Sequence, residues 1–128
     1  MSAVRISEYQ QWLKGYDEAR GWDRVSPSQT FVHLVEELGE VARLVLYKEG
    51  YKDPTEKEDL HAQLAEELAD ATTFLFKLAY QFDVDLEMAL AGNQEKSQRR
   101  TSVDRGQMEM QRYLESQEEN LKWMRGEE

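Results

Sequence analysis

The sequence predicts an all-α protein, a bundle of four to five helices. Apolar residues recur at steps of three and four along nearly the whole chain, the spacing of one helix face. Both prolines, Pro27 and Pro54, stand where helices should begin, each directly after a serine or aspartate able to cap one. Strand-like alternation persists nowhere.

The first helix is expected from Ser7, where Ser7-Glu8-Tyr9-Gln10 reads as a capping box, to a stop near Arg20-Gly21. Tyr9, Trp12, Leu13 and Tyr16 would share its apolar face. Ser26-Pro27-Ser28-Gln29 is a second capping box. It opens a helix whose stripe runs through Phe31, Leu34, Val35, Leu38, Val41, Ala42 and Val45 to a stop near Gly50. Asp53-Pro54-Thr55-Glu56 repeats the start signal, with the continuous third helix beginning a few residues later. That helix carries Leu60, Leu64, Leu68, Ala71, Leu75, Leu78 and Phe82, a long seam for packing on another helix. Asp83 or Asp85 should cap a fourth helix reaching about Arg99, and Asp104 a fifth. The fifth bears Met108, Tyr113, Leu114, Leu121 and Trp123 in a ragged stripe, which suits packing on a partner subunit.

With 128 residues, 40% hydrophobic and 33% charged, the chain is expected to be a single soluble domain. No apolar run approaches the roughly 20 residues of a membrane span, and Met1-Ser2-Ala3-Val4-Arg5 lacks the apolar core of a signal peptide. The absence of cysteine excludes thiolate chemistry and disulfides and fits a cytoplasmic protein. A net charge of −10 repels nucleic-acid polymers. A small polyphosphate would be repelled as well, unless divalent cations invert the local field.

The carboxylates give that condition its substance. Glu36-Glu37-Leu38-Gly39-Glu40 and Glu66-Glu67-Leu68-Ala69-Asp70 each place acids three and four residues apart, neighbours on one side of a helix that cost a few tenths of a kcal/mol per pair. One such cluster alone reads as a solvated face. Here Glu37 and Glu40 adjoin Leu34, Leu38 and Val41, and Glu67 and Asp70 adjoin Leu64, Leu68 and Ala71. Charges bordering an apolar seam need compensation. Hard oxygen donors without a thiolate suit Mg²⁺, with Mn²⁺ as a substitute. Gly39 inside a helix costs about 1 kcal/mol against alanine, which close approach of two helices would justify.

Further on, Asn93, Lys96 and Arg100 share a helix face that suits phosphate oxygens and a sugar or base. Basic residues there also simply complement the helix dipole. Glu58-Asp59-Leu60-His61 offers one Glu-x-x-His step, but a di-iron carboxylate bundle needs two, and Thr30 stands three residues before His33. No phosphate-cradling glycine loop is present.

Glu36-Glu37-x-x-Glu40 followed by Glu67-x-x-Asp70, with the later Asn93-x-x-Lys96-x-x-x-Arg100, resembles the MazG-like all-α nucleoside triphosphate pyrophosphohydrolases over roughly residues 5 to 101. The resemblance implies a metal-dependent enzyme that cleaves a nucleoside triphosphate between the α and β phosphates, giving a monophosphate and pyrophosphate. It implies Glu37, Glu40, Glu67 and Asp70 as Mg²⁺ ligands, and Glu36 as an extra acid that binds a further metal or activates water. Proton removal from the attacking water falls to Glu36 or Glu37. Asn93, Lys96 and Arg100 would lie near the phosphates and sugar, and Trp22, Phe31, His33 and Asn93 are candidates for base contacts. The family is usually dimeric or tetrameric, so a homodimer or homotetramer is expected. Residues 1–102 would form the catalytic helical domain and 103–128 a helical extension packing on the bundle or a partner subunit. The rival readings are a non-catalytic scaffold, disfavoured by the intact five-carboxylate set, and a hydrolase of another phosphate ester or diphosphate.

Overall fold

The computed structural model describes residues 3–53 and 59–127, and all regular structure among them is helical. The helices are α1 (Ile6–Arg20), α2 (Pro27–Lys48), α3 (Leu60–Gln81), α4 (Leu86–Arg100) and α5 (Val103–Met124), with a short 3-10 turn at Trp22–Arg24. The chain divides into two compact units whose boundary falls between Ala89 and Leu90, inside α4.

Local chemistry sets most of the helix ends. Gly21 stops α1 at φ 73°, a left-handed conformation that glycine adopts without penalty. Ser26 Oγ accepts from the Gln29 amide at 3.2 Å, with Pro27 at the first helical position of α2. Gly50 follows the end of α2 at φ 81°. Asp59 caps α3 by accepting from the Ala62 amide at 3.0 Å; the Pro54 start signal and Glu58 lie outside the described residues. Of the two acids offered for α4, Asp85 does the capping, accepting from the Met88 amide at 3.1 Å. Asp83 instead makes the preceding turn at φ 55°.

Two expected caps are corrected. Helix α1 begins at Ile6, after an extended Arg5 that supplies no side-chain cap. With the helix starting at Ile6, Ser7 lies inside the first turn and cannot cap it, and Gln10, the reciprocal partner the box would need, is engaged elsewhere. Its amide nitrogen donates to the Val84 carbonyl at 2.6 Å and its oxygen accepts from the Leu86 amide at 3.1 Å. Helix α5 is capped by Ser102, whose Oγ accepts from the Arg105 amide at 3.2 Å. Asp104 sits inside the first turn, where its charge complements the helix dipole.

In the first unit α2 and α3 form the principal pair, and α1 packs on α3. The pair is antiparallel, since His33 meets Phe74 while Glu37 meets Glu67. The inward stripe of α2 is Thr30, Leu34, Glu37, Val41 and Leu44, at alternating steps of four and three. Thr30 and Leu44 belong to it although the sequence reading passed over them. Leu34 and Leu44 from α2, Leu13 from α1, and Ala71, Ala79 and Tyr80 from α3 are the buried apolar residues. Phe31, Val35 and Leu38 form a second stripe on α2, each about half exposed, as are Leu68 and Leu75 of α3.

A buried polar cluster ties three segments together. Asp17 of α1 accepts from the Tyr80 hydroxyl of α3 at 2.6 Å and pairs with Lys77 Nζ at 3.5 Å. The same ammonium donates to the Trp22 carbonyl at 2.9 Å, fixing the corner between α1 and α2. Burial and the Asp17 carboxylate both push the Tyr80 hydroxyl up from its ordinary pKa, so it stays a donor. The cluster makes a clear prediction. Asp17→Ala strands the Lys77 ammonium, and chemical unfolding should show a loss on the order of 3 kcal/mol. Tyr80→Phe keeps the ion pair and should cost only about 1 kcal/mol.

Candidate metal centre

The centre lies where the inward stripes of α2 and α3 exchange apolar residues for acids. Glu37 follows Leu34 by three positions and precedes Val41 by four, so its carboxylate enters the seam that elsewhere holds leucine and valine. On α3, Glu67 and Asp70 flank the turn before buried Ala71. One oxygen from each of Glu37, Glu67 and Asp70 lies within 4.8 Å of the other two. Glu37 and Glu67 are half-buried, while Asp70 is exposed and opens the cluster to solvent.

Such crowding has an electrostatic signature. The Glu37 carboxyl is pushed up to about 7. Its hydrogen bond with Glu67 is the largest cause, followed by burial and then by repulsion from Glu67, Asp70 and Glu40. Two facing carboxylates relieve part of their repulsion by sharing a proton, which holds the acid form into the neutral range. A divalent cation at the same place would remove the need for that proton. The donors are all carboxylate oxygens, which suits Mg²⁺ or Mn²⁺ and gives no thiolate or imidazole reason to prefer zinc.

The remaining acids stand apart from the trio. Glu40 Oε2 accepts from Arg43 Nε at 3.1 Å, an i,i+3 pair on the exposed side of α2. It still contributes repulsion to Glu37. Glu36 lies 3.6 Å from His33 Nδ1, also one turn away and exposed. Glu66 is exposed and stands outside the trio.

Asn93, Lys96 and Arg100 are exposed on α4 within the second unit. Their common helix face is retained, since steps of three and four run through a continuous α4.

One feature escaped the sequence reading. The His33 and Phe74 rings stack with centroids 5.7 Å apart and planes 19° from parallel. His33 precedes Glu37 by one helical turn and Phe74 follows Asp70 by one, so in an antiparallel pair both stand at the same end of the carboxylate cluster. Nothing in either local sequence marks the pairing, which exists only through the register of α2 on α3.

Among known proteins, residues 25–103 match the family model described as the MazG nucleotide pyrophosphohydrolase domain. The chain is also similar to YvdC of Bacillus subtilis (strain 168), a protein described as uncharacterised. The two are 34% identical over 102 residues, a span covering 76% of this chain and 96% of the relative. No helix among the described residues is long and apolar enough to cross a membrane. The all-helical fold and a match over more than half of its length agree, and the chain belongs to the MazG nucleotide pyrophosphohydrolase family.

Proposed function

We propose that this protein is a metal-dependent nucleoside triphosphate pyrophosphohydrolase. It would cleave a (deoxy)nucleoside triphosphate between the α and β phosphates, for nucleotide-pool control or house-cleaning in the cytoplasm. The observation that carries the reading is the carboxylate trio, three acids from two helices within 4.8 Å, one with its proton held to about pH 7. Glu37, Glu67 and Asp70 would hold Mg²⁺, with Glu40 joining once it leaves Arg43. When bound, divalent ions supply charge neutralisation for the triphosphate and acidify the attacking water.

The chain's own residues account for the rest. Glu36, or Glu37 once ionised, accepts the proton of the attacking water. His33, 3.6 Å from Glu36, orients that carboxylate. Lys96 and Arg100 answer the charge that builds on the departing pyrophosphate, and Asn93 hydrogen-bonds the sugar or base. The exposed His33 ring, stacked on Phe74, offers an aromatic surface for the base at the end of the acidic cluster.

Assembly as a homodimer or homotetramer belongs to the same proposal. Helix α2 is apolar on two faces, one turned to α3 and the other half exposed at Phe31, Val35 and Leu38. A helix apolar on more than one side is normally covered on both.

The direct test is a panel of canonical and modified nucleoside triphosphates with Mg²⁺ or Mn²⁺, scored for products. Monophosphate and pyrophosphate are expected; orthophosphate with a diphosphate would refute attack at the α-phosphorus. Glu40→Gln and Asp70→Asn should each lower turnover by on the order of 100-fold or more while the fold survives. Full activity in either removes that residue from the ligand set. Millimolar Mg²⁺ should raise the thermal midpoint, because it binds only the folded site.

The Glu37 proton makes a separate prediction for the metal-free protein. Its folded-state value of about 7 stands above the ordinary 4.5, so between those values the unfolded chain ionises first. Stability contributed by this group is therefore present at acid pH, falls as pH rises through that window, and is flat above it. Denaturation midpoints at pH 5 and pH 8 should show the decline, Glu37→Gln should abolish it, and Mg²⁺ should reduce it in the unmodified chain.

A further inference from the structure

We propose that α5 is an oligomerisation helix, pairing with the α5 of a second copy as a parallel, in-register two-stranded coiled coil. The family match ends at residue 103, where α5 begins, so the inference does not rest on the catalytic reading. Helix α5 has 22 residues and none is buried. Most of a helix's stability in a protein comes from packing an amphipathic face, and with no described residue of α5 buried a second copy is the natural source of that packing.

The occupant follows from register. Val103, Met110, Leu114, Leu121 and Met124, with Gln107 and Gln117, lie at alternating steps of four and three through the whole helix. That is the 3.5-residue repeat of a coiled-coil seam. None of these seven positions is charged. Val103, Gln107, Met110 and Leu114 line a shallow groove on this helix, with Gly106, Gln111 and Glu115 along its flank. The charges of Arg105, Glu109, Arg112, Glu115, Glu119 and Lys122 all fall on the outer positions.

Three pairings can be compared. An antiparallel pair that sets Asp104 against Arg125 of the second copy buries Gln107 on Met124 and Gln117 on Leu114. The antiparallel register that sets Gln107 on Gln117 brings Asp104 against Glu118. Parallel pairing in register places each glutamine on its own counterpart, where the amides can hydrogen-bond. Its flanking pairs are Gly106 with Gln111, Tyr113 with Glu118 and Asn120 with Arg125, and none sets two like charges together. Only this arrangement satisfies both the polar layers and the flanks.

The chain contains no cysteine, so single cysteines report the pairing cleanly. Gln107→Cys, Gln117→Cys and, on the outer face, Arg112→Cys would be made in the full-length protein. Each would be oxidised with diamide and run on a non-reducing denaturing gel, with circular dichroism verifying the fold. Dimer bands from Gln107→Cys alone and from Gln117→Cys alone, several-fold stronger than from Arg112→Cys, are the expected result. Linking only when the Gln107→Cys and Gln117→Cys proteins are mixed would overturn the parallel register. No linking at either seam position, or equal linking at Arg112→Cys, would overturn the pairing itself and assign the α5 face to another surface.

Discussion

Three carboxylates share one layer of the α2–α3 interface, and the rest of the first unit is arranged so that they can. Above and below that layer the inward stripes carry Leu34, Val41, Leu44 and Ala71. These supply the apolar contact that keeps the helices paired despite repulsion in the middle. Glu67 is the largest influence raising the Glu37 carboxyl, and a shared proton relieves part of the repulsion between them. A pair of helices optimised for stability alone would place a leucine at Glu37, so the carboxylate layer is most simply understood as a functional cost.

The opposite end of α3 shows a different answer to the same burial problem. Lys77 and Asp17 are both buried charges, yet they are opposite in sign and share their remaining valence with Tyr80 and the Trp22 carbonyl. Electrostatic satisfaction there gives rigidity. Like-charge crowding at Glu37 leaves its carboxyl raised toward neutrality. Both clusters draw on α3, through Glu67 and Asp70 in one and Lys77 and Tyr80 in the other.

Much of this could be read from the sequence wherever the controlling interaction is local. The Ser26 cap, Pro27, the Gly21 stop and the three- and four-residue spacing of the acids all depend on neighbours within one turn. So does the place of each of Glu37, Glu67 and Asp70 beside apolar residues, whereas their meeting depends on the register of α2 on α3. The misses have a common physical origin. Ser7 is no cap because α1 starts one residue before it, and Gln10, its expected partner, bonds a turn 74 residues away. Thr30 and Leu44 were passed over because the inward face of α2 is chosen by α3, and α2 has two apolar faces to choose from. The His33–Phe74 stack needs the register of that pairing. The Arg43 partner of Glu40 is an i,i+3 ion pair, local and legible in the sequence.

Gln10 also constrains how this chain can vary. Its amide is used from both ends, giving a proton to the Val84 carbonyl and taking one from the Leu86 amide. Glutamate matches it in size and differs by a single group, yet a carboxylate in that place would direct an oxygen at the Val84 oxygen from 2.6 Å away. The exchange that looks mildest on paper is therefore one this corner should resist, while Gln11, its exposed neighbour, carries no such demand.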